Sequence, residues 1–116
     1  MTPRTDTMTI TQITPDYSVS PQITRDDVKD IAGQGFRAIM CNRFDGEAPD
    51  QTPEAVIRAE AERLGLAFAS VPVTSGSIHP EDVEDFKTAM AELPGPVLAY
   101  CRSGTRSRTL WALAQR

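Results

Sequence analysis

Acidic residues are missing from one end of this chain, and several other shortages are as informative. From Cys101 to Arg116 there are four arginines and no Asp or Glu, while the remainder holds eight Lys or Arg against sixteen acids. A local charge of +4 therefore sits on a body of −8, within a formal net charge of −4. A basic end on an acidic protein points to a small anionic substrate. Aromatics make up 6% of the chain, and no basic face interleaved with them is visible, which excludes a nucleic-acid partner. There is one histidine, His79, and there are two cysteines, Cys41 and Cys101, so a zinc site of Cys and His ligands and a disulfide framework are both excluded. A Cys–His protease would need His79 as its base, but that residue stands before Pro80-Glu81-Asp82 and reads as a solvated helix cap. No apolar run approaches the roughly 20 residues of a membrane helix. Met1-Thr2-Pro3-Arg4-Thr5-Asp6-Thr7 lacks the apolar stretch of a signal peptide, so no membrane partner and a cytoplasmic location are expected.

The chain has 116 residues, 40% of them hydrophobic and 24% charged, as expected of one globular domain with its own core. Residues 1–8 read as a flexible leader, with Met8 an alternative start, and residues 9–116 as the domain. Two short extended pieces flank Pro15-Asp16. Thr24 caps a helix whose apolar stripe is Val28, Ile31 and Ala32, and Gly33 and Gly35 stop it. Phe36 to Cys41 reads as a strand. Thr52-Pro53-Glu54 then supplies cap, proline at the first helical position and first-turn acid for a helix burying Ile57, Ala61 and Leu64. Leu66 to Val73 is a third apolar strand. Pro80-Glu81-Asp82 opens a helix that buries Val83, Phe86 and Met90, Pro94-Gly95-Pro96 turns the chain, and Pro96 to Tyr100 is the last strand. Alternation of this kind predicts an α/β domain with a mostly parallel sheet of about four to five strands flanked by helices. Ligands bind outside the carboxyl ends of such strands, where Cys41, Thr74 and Cys101 all fall.

The chemistry concentrates in Tyr100-Cys101-Arg102-Ser103-Gly104-Thr105-Arg106-Ser107, a short loop between the last strand and a helix over 107–116. Such a loop directs unpaired backbone N–H groups at one point and forms an anion cradle. A helix N-terminus and nearby guanidinium groups favour the thiolate of a cysteine there, so Cys101 reads as a nucleophile rather than a small buried hydrophobe. Arg106 reads as a forked anion ligand, Arg102 as a weaker helper and Arg108 as a solvated helix residue. Gly104 permits either a backbone turn or close approach of an anion. Cys41 is either a thiol at a buried strand end or, if its strand neighbours that of Cys101, a resolving cysteine. Trp111 and Leu113 serve either core packing or contact with another subunit.

Cys101-Arg102-Ser103-Gly104-Thr105-Arg106-Ser107 resembles the active-site loop of rhodanese-type sulfurtransferases, with Cys101 and Arg106 closing a six-residue ring. Ile13-Thr14-Pro15-Asp16-Tyr17-Ser18-Val19-Ser20-Pro21-Gln22-Ile23, Asn42-Arg43-Phe44-Asp45-Gly46-Glu47 and the Cys101 loop together resemble the phosphatase-like domain of beta-lactamase hydrolase-like proteins. That resemblance implies the fold of cysteine-dependent tyrosine and dual-specificity phosphatases. It also implies sulfur transfer in some members and fusion to sulfur dioxygenase-type domains. Three departures from the phosphatase pattern favour sulfur. The position of the phosphatase arginine holds Ser107, making the ring one residue shorter. The loop after the third strand offers Thr74 and Ser75 where phosphatases place an aspartic acid, while Asp82 and Asp85 serve a helix N-terminus. Tyr100 replaces the histidine before the cysteine.

On this reading Cys101 attacks the outer sulfur of a small anionic donor, thiosulfate or a low-molecular-weight persulfide, while Arg106 and Arg102 hold the leaving anion. Backbone N–H groups of Ser103, Gly104, Thr105, Arg106 and Ser107 cradle the persulfide, and a thiol, sulfite or cyanide collects its sulfur. Asn42, Arg43 and Asp45 brace the loop, with Arg43 able to reach a substrate anion. No metal or organic cofactor is required, and the expected partner is a second copy of the chain or a sulfur dioxygenase-type domain. The alternatives are a cysteine-dependent phosphatase-like hydrolase and a non-enzymatic thiol redox sensor or binding module with a Cys41–Cys101 disulfide.

Overall fold

The computed structural model describes residues 9–116, so the expected leader lies outside the described residues. The element order is β1 (Thr11–Thr14), β2 (Tyr17–Ser20), α1 (Arg25–Gly33), β3 (Ala38–Cys41), α2 (Glu54–Arg63), β4 (Ala67–Ser70), α3 (Pro80–Glu92), β5 (Val97–Tyr100) and α4 (Thr105–Ala114). The five strands form one sheet in the order β1-β2-β5-β3-β4, antiparallel between β1 and β2 and parallel elsewhere. This is the single, mostly parallel α/β domain that the alternation of elements predicts.

Strands β3 and β5 are buried throughout, because helices cover both faces of the sheet. Alternate residues of each strand supply two separate cores. Ile39, Cys41, Leu98 and Tyr100 face Ile23, Val28 and Ile31 of the α1 side and Ile57 and Ala61 of α2. Ala38, Met40, Val97 and Ala99 face Tyr17, Phe86 of α3 and Leu110 of α4. Val83, Met90 and Trp111 pack partly buried against this second core, which gives Trp111 a place within the fold.

Local signals act as expected at two helices. Thr24 accepts from the Asp27 N–H while Asp27 accepts from the Thr24 N–H, closing a capping box on α1. Asp82 accepts from the His79 N–H at 2.8 Å, so His79 is the exposed residue that introduces α3. Helix α2 departs from expectation. It starts at Glu54, Pro53 precedes it, and its first N–H donates to Asp45 Oδ1 at 2.9 Å. The cap comes from the preceding loop rather than from Thr52.

The strands are shorter than their apolar runs. Leu66 to Val73 pairs regularly only over Ala67–Ser70, because β3 ends at Cys41, the partner of Ser70. Val71 and Val73 continue beyond the sheet, donating their N–H groups to Cys41 O at 2.9 Å and Asn42 O at 3.3 Å. That extension brings the Val73 carbonyl to the edge where the Cys101 loop emerges.

Candidate active site

Strands β3 and β5 run side by side with Cys41 opposite Tyr100, so their loops leave the sheet together at its carboxyl edge. Cys101 is the first residue past β5. Its N–H points to Ser20 O at 3.4 Å, and the Gln22 N–H bonds Arg102 O at 3.2 Å, tying the loop to the exit of β2. Gly104 turns the chain into α4 with φ at 93°, and a Cβ there would stand 3.5 Å from the Ser20 backbone. A backbone turn is therefore what this glycine supplies, together with an N–H that donates to Cys101 Sγ at 3.1 Å.

Cys101 is fully buried, yet polar groups surround its sulfur. The Gly104 N–H donates to it, and the Arg106 guanidinium is held ionised first by its hydrogen bonds to Glu47 and in smaller part by Cys101. The Tyr17 hydroxyl lies near, and burial first, then the charge on Cys101, push that phenol's pKa up. Helix geometry leaves the N–H groups of Thr105, Arg106 and Ser107 without intrahelical acceptors, since the first bond of α4 runs from the Arg108 N–H to Gly104 O at 3.0 Å. Arg102, Ser103 and Thr105 are exposed at the mouth, where the Ser103 and Thr105 hydroxyls pair at 3.0 Å. Arg108 is exposed on α4.

Arg106 is buried, and its fork is already taken. Nη1 donates to Glu47 Oε2 at 2.8 Å and to the Val73 carbonyl at 2.9 Å, and Nη2 donates to Glu47 Oε1 at 2.8 Å. The end-on face expected to grip a substrate anion grips an internal carboxylate instead. A guanidinium carries five N–H groups, so Nε–H and one Nη2–H remain for other partners. Arg43 is buried too and does not face outward to a substrate: its Nε donates to Glu47 Oε1 at 3.0 Å and its Nη1 to Gln22 Oε1 at 2.8 Å. Hydrogen bonds from Arg106 are the largest effect and outweigh burial, which comes second and acts the other way; with the Arg43 hydrogen bond behind them, they hold Glu47 well below the usual carboxylate range, at about 2.

A second buried network braces the loop from the other side. Ser107 Oγ donates to Asn42 Oδ1 at 2.8 Å, and Asn42 Nδ2 donates to Val71 O at 3.0 Å. The Tyr17 hydroxyl donates to Ser107 O at 2.8 Å. The Ser107 side chain is therefore an internal strut, and only its N–H remains available to a ligand. Asp45, expected to brace the Cys101 loop, caps α2 instead.

Cys41 also departs from one of its expected roles. Its strand does neighbour that of Cys101, but its thiol lies in the core on the α1 and α2 side and donates to Arg43 O at 3.2 Å. Cys101 meets Gly104 and Arg106 of the α4 side, so the sheet separates the two sulfurs. Burial pushes the Cys41 thiol up, which further weakens it as an exchange nucleophile. Residue patterns alone did not single out Glu47, Gln22 or Tyr17 as site residues. All three fall within the segments that carry the family resemblance.

A cysteine at the base of a strand–loop–helix turn, at the carboxyl edge of a mainly parallel sheet, defines a cysteine-phosphatase-like α/β domain. Residues 9–116 match the model of the beta-lactamase hydrolase-like protein, phosphatase-like domain, and the chain belongs to that family. It is 39% identical over 108 residues to a beta-lactamase hydrolase-like protein of Xylella fastidiosa Temecula1, covering 93% of this chain and 25% of that protein. The chain thus spans about a quarter of the length of that curated relative. Among solved structures, it is similar to one described as a candidate phosphatase from Neisseria meningitidis Z2491, with TM-score 0.84 and 38% identity over 91% of this chain and 75% of that one. A candidate phosphatase from Shewanella putrefaciens CN-32 shares the fold at TM-score 0.77 and 20% identity, covering 95% of this chain and 69% of that one. Among the described residues, no helix is long and apolar enough to cross a membrane, and no group of three or more His, Cys, Asp or Glu is placed to hold a metal ion.

Proposed function

We propose that this domain transfers sulfur by nucleophilic catalysis at Cys101, from a small anionic donor to a thiol, sulfite or cyanide. One observation carries the reading: the carboxylate beside the loop, Glu47, is held ionised between Arg43 and Arg106, and the 74–77 loop after β4 carries no acid. Cleavage of a phosphate monoester sends off an alkoxide that needs a proton from a general acid. Displacement of sulfite or a thiolate from sulfur needs none. The Cys101 thiolate forms a bond to the donor's outer sulfur, and that sulfur's bond to the rest of the donor breaks, its electron pair leaving with sulfite or thiolate. The charged terminal sulfur of the persulfide then rests against the first-turn N–H groups of α4 and the free edge of Arg106. An acceptor thiolate attacks that terminal sulfur, and the pair from the broken sulfur–sulfur bond returns to Cys101.

Phosphate-ester hydrolysis at the same cysteine is the second reading, favoured by the descriptions of the Neisseria and Shewanella proteins as candidate phosphatases. A Cys41–Cys101 redox couple is disfavoured by the opposite sheet faces of the two thiols. Intact-mass measurement after thiosulfate or glutathione persulfide, on the parent and on Cys101→Ser, separates the first two. One added sulfur on the parent and none on the variant is the expected result. Cys101-dependent turnover of an aryl phosphate, with no sulfur gained from either donor, would overturn it.

A further inference from the structure

Arg43, Glu47 and Arg106 form a charge cluster that no simple anion-binding loop requires. Glu47 comes from the loop after β3, which is itself fixed: the Glu47 N–H donates to Gln51 Oε1 at 3.1 Å, and Gln51 Nε2 donates to Phe44 O at 2.8 Å. Its two oxygens occupy the end-on fork of Arg106, where an incoming tetrahedral dianion would otherwise dock in two-point fashion. The side chain of Glu47 is 29% exposed, so its charge is felt at the mouth of the site as well as inside it. Two guanidiniums and one carboxylate sum to a single positive charge.

We infer that Glu47 is a specificity-determining positioning residue: by holding the fork of Arg106, it leaves that arginine one side edge and biases the Cys101 loop toward donors whose reacting end is a single anionic sulfur and not a tetrahedral dianion. A low-molecular-weight persulfide, whose anionic sulfur is the atom transferred, fits that requirement. Thiosulfate, a dianion with a tetrahedral head, fits it less well. The inference rests on the sulfur-transfer reading for its donors, but its central claim about charge selection is testable on binding alone.

The experiment compares the parent chain with Glu47→Gln and Glu47→Asp. Single-turnover loading of Cys101 is followed by intact mass with glutathione persulfide and with thiosulfate, over a range of concentrations of each. Binding of inert sulfate is measured by calorimetry on the same proteins. The parent is expected to load faster from the persulfide. Glu47→Gln should tighten sulfate and lower the half-saturating thiosulfate concentration about tenfold, while slowing the transfer step because Arg106 loses its anchor. Glu47→Asp keeps the charge and is expected to retain the parent's donor preference at reduced rate. Unchanged sulfate affinity in Glu47→Gln would overturn the inference, as would an equal loss with both donors. Glu47→Asp relaxing the preference as fully as Glu47→Gln would overturn it too. If neither donor loads Cys101, the sulfur reading fails, and the sulfate comparison still decides the role of Glu47. If Glu47→Gln does not fold, sulfate binding and the donor ratio are read on Glu47→Ala, which also removes the charge, and the same outcomes decide it.

Discussion

Replacing Glu47 by Gln should change how stability depends on pH, and the sign follows from its surroundings. In the folded chain the carboxyl sits at about 2, against an ordinary value of 4.5, because Arg106 and Arg43 stabilise its ionised form. A depressed carboxylate contributes its full stabilisation above its unfolded pKa and loses it as pH falls toward the folded value. The window is therefore from about pH 4.5 down to about pH 2. At full strength a drop of that size corresponds to roughly 3 kcal/mol. The side chain is 29% exposed, so solvent screening reduces the figure to about 1–2 kcal/mol. Urea unfolding of parent and Glu47→Gln, followed by the fluorescence of Trp111, checks this directly. At about pH 7 the parent should be the more stable by that margin, and the margin should shrink steadily as the samples are taken to about pH 3. High salt should narrow it less than for a surface pair, because Arg43 and Arg106 are buried. A gap of the same size at every pH, or one that widens on acidification, would refute the assignment of Glu47 as the shared carboxylate of the two arginines.

Two further substitutions probe the loop itself. Ser107→Ala strands the buried Asn42 Oδ1 and should cost about 1–3 kcal/mol in urea unfolding, with slower sulfur loading of Cys101; a loss within a few tenths would remove the strut argument. Gly104→Ala forces a side chain into φ of 93°, although the Cβ itself would meet the Ser20 backbone only at ordinary contact distance, so the backbone strain should destabilise by about 1–2 kcal/mol and misplace the N–H that meets Cys101 Sγ. Near-parental loading by that variant would show that the turn does not position the sulfur.

The parallel arrangement was legible because its signals are local. Ala38-Ile39-Met40-Cys41 and Val97-Leu98-Ala99-Tyr100 are unbroken apolar runs, each set between helical patterns with their own caps and stops. The cysteine loop was legible for the same reason, since its glycine, hydroxyls and arginines stand together in the chain. What escaped was tertiary. Thr52-Pro53-Glu54 carries every local sign of a cap, yet the acceptor for the Glu54 N–H is Asp45, nine residues earlier, and only the folded loop reveals it. Glu47 and Arg106 are 59 positions apart, and nothing in the spacing of either marks the other. An arginine in a short loop beside a cysteine carries no local sign that its fork is already bound to a carboxylate. The ends of β4 depended likewise on where β3 stops, a property of the neighbouring strand.

The one-residue difference between this loop and that of the cysteine phosphatases is built into the helix and is not a slip that one side chain would mend. Successive helical residues point about 100° apart, so positions 106 and 107 face different parts of the site. Arg106 reaches Glu47 and Val73, while Ser107 reaches Asn42 and receives Tyr17 at its carbonyl. An arginine at 107 would have to bury a further guanidinium against Asn42, in a site where one carboxylate already serves two, and an uncompensated buried charge of that kind costs several kcal/mol. Moving the arginine alone would also leave Glu47 without its main partner. A chain of this fold could regain the longer phosphate-binding ring only by inserting a residue between Cys101 and α4, because the helix fixes both directions once it begins. The shared scaffold thus places the cysteine, and on the proposed reading the length of the loop, with Glu47 behind it, sets which anion the cysteine meets.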